Sequence, residues 1–213
     1  MYVLHNYFRS STSFRVRIAL NLKRQKFEYR SYQLLKGEHK SDAYLAMNPD
    51  GLVPTLETPD GHIGQSLAIL EYLDEQHPEP PLLPGDAYGR ARVRSLAHAI
   101  ALDVHPMNNL RVLKYLAGHF SAHDDDIKQW FTHWVAESYT AIESRLLNER
   151  QTGRFCHGNS PGLADICLVA QSVNNTRFEV PTASYPTIER IVAACLDMPA
   201  FADAHPTRQT DAI

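Results

Sequence analysis

Four consecutive hydroxyl residues, Ser10-Ser11-Thr12-Ser13, stand where a strand-like run gives way to a helix-like one. A helix start leaves backbone N–H groups without intrahelical partners, and a Ser or Thr oxygen satisfies one of them. One hydroxyl is enough for that purpose; four exceed it. The same helix start carries about half a positive charge and favours a bound anion. A thiolate held there gains from N–H groups, a hydroxyl and the dipole together. Lowering a thiol pKa by about two units takes roughly 2.7 kcal/mol of preference for the anion, which lies within reach of these contributions. A second candidate, Gln65-Ser66, also opens a helix-like run, and taken alone it reads as a cap. A third lies in Asp103–Leu113, where Pro106 interrupts an apolar periodicity and removes a helical hydrogen bond. The proline marks either a kink or a boundary between two helices. His105, Asn108 and Arg111 fall at three-residue spacing and can share one face.

The elements that must position these residues form two groups. Tyr2 to Phe8 reads as a buried strand and Ser13 to Lys23 as a helix, with Val16, Ala19 and Leu20 on one face. Phe27 to Gln33 alternates like a strand. His39 to Met47 is helix-like and stops before Pro49. Pro54 to Thr58 and His62 to Gln65 flank Pro59-Asp60-Gly61, a hairpin signal. Ser66 to about Gln76 carries Ile69, Leu70 and Leu73 at helical spacing, with Ser66 as its cap. The order is β-α-β-α-β-β-α. Pro78, Pro80, Pro81 and Pro84 then form a semi-rigid linker. Beyond it every periodic run is helical, from Val93–Val104 to Ile188–Cys195. The expected architecture is an α/β domain over residues 1–79, a linker over 80–86 and an all-helical domain over 87–213.

Composition narrows the class further. The 213 residues are 44% hydrophobic, enough to bury a sizeable core. A formal charge of −3 gives no general attraction to nucleic acid or anionic membranes. The start of the chain lacks a secretory pattern, and no apolar run approaches the roughly 20 residues of a membrane helix. A soluble, cytoplasmic protein is expected, with no nucleic-acid or membrane partner. Cys156, Cys167 and Cys195 are far apart, without the spacing of a zinc site or disulfide framework. His119 and His123 have the spacing of a metal pair but no third ligand nearby, so no metal is expected. Asp124-Asp125-Asp126 suits a helix start, and Trp130 and Trp134 suit a core or interface.

The run Tyr7-Phe8-Arg9-Ser10-Ser11-Thr12-Ser13-Phe14-Arg15-Val16-Arg17-Ile18-Ala19-Leu20 closely resembles the signature of zeta-class glutathione transferases, Ser-Ser-Cys-x-x-Arg-Val-Arg-Ile-Ala-Leu. Thr12 stands where many members have cysteine, so the sulfur has to come from glutathione. The resemblance extends over essentially the whole chain and thins in the last forty residues. It implies the glutathione transferase fold, a thioredoxin-like domain followed by a helical bundle, and a homodimer. It assigns Ser10 to the thiolate, assisted by Ser11 and Thr12. It makes the Val53-Pro54 bond cis, with the Val53 backbone on the cysteinyl unit of glutathione. Gln65 and Ser66 would hold the γ-glutamyl carboxylate, and His39 the glycyl one. Residues 103–113 are similar to a stretch in the bacterial isomerases of the class, which adds His105, Asn108 and Asn109 to the cofactor set. The implied reaction is cis–trans isomerisation of a small dicarboxylic substrate, maleylacetoacetate, by reversible thiolate addition. Maleylpyruvate is the nearest alternative substrate; a conjugating or dehalogenating transferase and a non-catalytic module are the others. Arg9, Arg111 and Arg177 are the expected carboxylate-binding residues, because a guanidinium fork matches a carboxylate, with Arg9 also near the reacting atoms. Gly158–Gln171 resembles the superfamily's helix-capping motif, with Gly162 in place of the usual Thr or Ser and Asp165 reaching back as a structural residue.

Overall fold

The computed structural model describes residues 1–212, and the chain divides into two compact units. The first comprises Met1–Leu82 together with the described residues from Asp197 onward; the second is Leu83–Leu196.

In the first unit, β1 (Tyr2–Asn6) and β2 (Phe27–Ser31) pair in parallel, with Tyr2 opposite Phe27. Parallel neighbours need a crossover, which α1 (Ser11–Leu22) supplies. β3 (Thr55–Thr58) runs antiparallel to β1, and β4 (Gly61–Ile63) closes a hairpin on β3, giving the order β2-β1-β3-β4. α1 packs against α3 (Ser66–Gln76), burying Phe14, Val16, Ile18 and Leu20 with Ile69, Leu70 and Leu73. Each such side chain contributes about 1.5–3 kcal/mol of transfer free energy. α1 also buries two cations, Arg15 and Arg17, which apolar periodicity does not foresee.

Between β2 and β3, the expected helix from His39 is broken up. Two 3-10 turns, Leu34–Lys36 and Glu38–Lys40, precede a short α2, Asp42–Met47. Gly37 separates the turns at φ +74°, a left-handed conformation that favours glycine. Ser41 starts α2 by accepting from Tyr44 N–H, at 3.3 Å. The Val53–Pro54 bond is cis, as is Glu79–Pro80. After α3, the buried Lys23 ammonium binds Asp74, the His77 carbonyl and the Pro80 carbonyl at 2.5–2.6 Å.

The second unit is helical: α4 (Ala87–His98), α5 (His105–Met107), α6 (Leu110–Phe120), α7 (Asp124–Asn148), α8 (Leu163–Arg177) and α9 (Pro186–Leu196). Val93, Leu96, Phe131, Val135, Ile142, Ile166, Val169, Ile188 and Ile191 make its core. Two of its helix starts are satisfied by buried carboxylates. Glu143 of α7 accepts the Thr187 and Ile188 N–H groups at 2.8 and 2.9 Å, opening α9. Asp165, fully buried, accepts from Gly162 N–H at 2.9 Å and Cys156 N–H at 2.8 Å, so Gly162 caps α8 without a side chain of its own. Residues Ala99–Val104, between α4 and α5, form a π-helical turn instead of a plain kink at Pro106.

The last described segment departs from the expected division at residue 87. α10 (Pro199–Ala202) packs on α1, and the Ala204 carbonyl accepts from Arg17 Nε at 3.0 Å. A buried guanidinium needs such acceptors, which draws this segment into the first unit.

Candidate active site

Ser10 caps α1. Its backbone is extended (φ −67°, ψ 116°), and Oγ accepts from Ser13 N–H at 3.1 Å. Its hydroxyl also meets Thr12 Oγ1 at 2.8 Å, and Thr12 Oγ1 donates to the Val53 carbonyl at 3.1 Å. Threonine has one hydroxyl proton. With that proton on Val53, Ser10 is the donor in the Ser10–Thr12 bond. Two hydroxyls of α1 are thus tied to the segment before the cis Pro54. Ser11 is the first residue of the helix and is buried.

Ser66 is not the cap of α3. Gln65 holds that position, in a left-handed conformation (φ +63°) and without a side-chain capping bond. Such a φ is uncommon outside glycine and recurs at ligand-binding positions. Ser66, the first helical residue, accepts from Arg15 Nη1 at 3.3 Å. Arg15 is 1% exposed, so a buried cation stands directly behind a helix N-terminus. Local sequence carries no sign of this, because the two groups are 51 residues apart. Through these bonds α1 joins Ser10, Thr12, Val53 and Ser66 of the expected set. Arg9 is exposed, with its guanidinium carbon 5.1 Å from the centre of the Phe8 ring. His39 stands on the second 3-10 turn, half-buried.

The other expected residues belong to the second unit. Asn109 caps α6, its Oδ1 accepting from Arg111 N–H at 3.1 Å. Its Nδ2 faces His105 Nε2 at 3.3 Å, and an amide nitrogen only donates. His105 Nε2 is then the acceptor, which puts the neutral ring's proton on Nδ1. Asn108 is buried and donates Nδ2 to the Phe131 carbonyl at 3.1 Å, while its Oδ1 has no hydrogen-bond partner among the described residues. Trp130 Nε1 donates to the Met107 carbonyl at 2.9 Å. Asn108 and Asn109, both in the expected cofactor set, use one amide group each to fasten the α5–α6 turn to α7 and to start α6. Arg111 and Arg177 are both exposed. Arg177 lies over the Phe178 ring, which stacks on Phe131 with ring centres 3.8 Å apart. Phe131 and Phe178, which support Arg177, are legible in the sequence only as core and helix-end hydrophobics.

The donor set suits an anionic sulfur at α1 and a carboxylate at α3. The buried cysteines suit neither: burial pushes the Cys156 and Cys195 thiols up, away from the thiolate.

Comparison with known proteins bears on this arrangement. Residues 4–81 match the family model for the glutathione S-transferase N-terminal domain. A maleylacetoacetate isomerase of Dictyostelium discoideum is 45% identical over 213 residues, covering 99% of this chain and 95% of that protein. A solved maleylpyruvate isomerase, described as a bacterial glutathione transferase of the zeta class, is 44% identical with a TM-score of 0.97, covering 99% of this chain and all of that one. A maleylacetoacetate isomerase of Methylobacterium extorquens AM1, solved with bound malonate and GSH, is 40% identical with a TM-score of 0.96 over 99% of both chains.

Proposed function

We propose, from the premise that this chain belongs to the zeta class of the glutathione transferase family, that it is a glutathione-dependent cis–trans isomerase acting on maleylacetoacetate. The observation that carries the reading is the Ser10 hydroxyl at the start of α1, coupled through Thr12 to Val53. Glutathione, when bound, supplies a thiolate whose reversible addition makes the cis double bond single and free to rotate, so it is regenerated and not consumed.

The residues of this chain do the remaining work. Ser10 turns its proton from Thr12 toward the sulfur by rotation about one bond, while the first-turn N–H groups of α1 add the helix dipole. Ser11 stands at that same first turn. The Val53 backbone, held by Thr12, lines up the cysteinyl unit. Gln65 and Ser66 receive the γ-glutamyl carboxylate at the start of α3, where Arg15 adds positive charge from behind. His39 serves the glycyl carboxylate, and His105 belongs to the same cofactor set. Arg9, Arg111 and Arg177 bind the substrate's carboxylates, and Arg9 also offsets negative charge on the substrate oxygen as the double bond is lost.

A coupled assay tests the reading. Maleylacetoacetate consumption is followed with its product hydrolase, with and without catalytic glutathione. Turnover that requires glutathione without consuming it supports the reading; net consumption would make the protein a conjugating transferase. The 44% identity to a maleylpyruvate isomerase favours maleylpyruvate as the second substrate to run in parallel. We also assign the protein to the cytoplasm as a homodimer. The three buried free thiols agree with a reducing compartment, and sedimentation at twice the 24.1 kDa chain mass checks the dimer.

A further inference from the structure

The loop between β1 and α1 is four residues long, Tyr7 to Ser10, and it carries Arg9. Its backbone is held from two sides by groups that the reaction does not use. On one side is Arg17, 1% exposed. Its Nη1 donates to Asn6 Oδ1 at 2.9 Å and to the Tyr7 carbonyl at 3.4 Å; its Nη2 donates to the Phe8 carbonyl at 3.0 Å. On the other side is Asp211, which approaches from 203 residues away in the chain. Asp211 Oδ2 accepts from Phe8 N–H at 3.3 Å and from the Ser31 hydroxyl, and Oδ1 accepts from Tyr29 OH at 2.5 Å. One carboxylate thus ties the end of β2 to the loop. The two holders are themselves linked, since Arg17 Nε binds the Ala204 carbonyl in the segment that leads to Asp211.

The loop residues respond differently to this arrangement. Ser10 is fixed by the helix it starts: its side chain binds Ser13 N–H, and its carbonyl accepts from Phe14 N–H at 2.9 Å. Arg9 has no such anchor among the described residues. Its guanidinium rests over the buried Phe8 ring, so its position follows the Phe8 backbone. That backbone is what Arg17 and Asp211 hold, one at the carbonyl and the other at the N–H.

We propose that Asp211 and Arg17 form a clasp on the Phe8 peptide groups, and that Asp211 is thereby a positioning residue for Arg9 in substrate binding. The assignment of Arg9 to the substrate rests on the function proposed above. Tyr29 suits the clasp: burial, and then its bond to Asp211, push its phenol well above the usual range, so it remains a donor.

The test is a double-mutant cycle on Asp211 and Arg9 together with amide exchange. Asp211→Ala is expected to raise the dicarboxylate KM about fivefold or more, the net worth of one ordinary hydrogen bond, while the glutathione KM moves by less than about twofold. Asp211→Asn, which keeps the shape, is expected to do the same to a smaller degree. In an Arg9→Ala background, Asp211→Ala is expected to add nothing further. A loss of stability alone would leave both KM values where they were, and a general loosening would raise both. Equal effects on the two KM values, or full additivity with Arg9→Ala, would overturn the positioning role. Amide exchange at Phe8 and Arg9, expected to quicken about tenfold in Asp211→Asn, reads the clasp without any assay of turnover. Unchanged exchange would overturn the clasp itself. A wild-type protein that does not isomerise would sink the functional proposal and leave the exchange result to decide the clasp.

Discussion

Ser10 has one proton and three claims on its hydroxyl group: Ser13 N–H, Thr12 and, under the proposed function, a sulfur. Ser10→Ala should therefore cost in two places. Loss of the cap lowers stability by about 1 kcal/mol. Loss of a donor to an anion, about 1.5–3 kcal/mol, lowers turnover by roughly 10–100-fold. Urea unfolding and initial-rate kinetics separate the two, and a variant with unchanged turnover would release Ser10 from catalysis. His5 is one residue through which pH acts on the fold. It is buried, and desolvation holds its pKa below the usual 6.5 even though Glu57 opposes the shift. Its neutral form also meets Tyr32 OH at 3.0 Å. A lowered pKa means stability that is complete above pH ~6.5 and is lost as pH falls through the folded value, because the unfolded chain takes the proton first. The melting temperature is expected to drop between pH 7 and pH 5, with a shallower drop in His5→Gln. His157 and His205, lowered for the same first reason, keep some slope in that variant.

Among the elements, α3 runs from Ser66 to Gln76 as its periodicity predicts, and the hairpin turns where Pro59-Asp60-Gly61 says it must. These features have local causes. The departures arise where a distant partner decides. Gln65 displaces Ser66 as the cap, and Ser66 answers to Arg15. Arg15 and Arg17 are buried cations that apolar periodicity does not foresee, and their acceptors lie at Ser66, Phe8 and Ala204. The end of α8 offers a test at this scale. Phe178 stacks on Phe131 beneath Arg177. Phe178→Ala should lower stability by about 2 kcal/mol from lost packing and the lost aromatic pair. It should also raise the dicarboxylate KM more than the glutathione KM, because Arg177 loses its platform. Chemical denaturation and paired KM measurements check both; equal KM changes would detach Phe178 from substrate binding.

For the molecule as a whole, the order of elements was readable because strand and helix periods and the proline cluster are local signals. The return of the last segment to the first unit was not, since it depends on Arg17 finding the Ala204 carbonyl. Near the candidate site, the Ser10 cap and the cis Val53–Pro54 bond were legible from motifs. The bonds of the Asn108 and Asn109 amides to the Phe131 carbonyl and the Arg111 N–H were not, since no local signal marks them. Ligand linkage gives a check on the assembled site. Glutathione at about 100 times its dissociation constant should stabilise the folded state by about 2.7 kcal/mol and raise the melting temperature accordingly. Gln65→Ala combined with Ser66→Ala should abolish most of that rise, and a full rise in the double variant would move the γ-glutamyl carboxylate elsewhere.

The π-helical turn at Ala99–Val104 is, in bookkeeping terms, one surplus residue in a helix. Such surpluses are typically gained or lost singly, which makes this turn a phase marker for everything downstream. Deleting one residue within it would restore ordinary winding and leave every motif of the chain in place. It would also rotate His105 and the start of α6 by about 100° relative to α4, carrying Arg111 off its present heading. A homologue one residue shorter at this position would then need the counterpart of Arg111 one place away in sequence to keep the same heading, so that the length of one turn would set the position of a side chain about ten residues on.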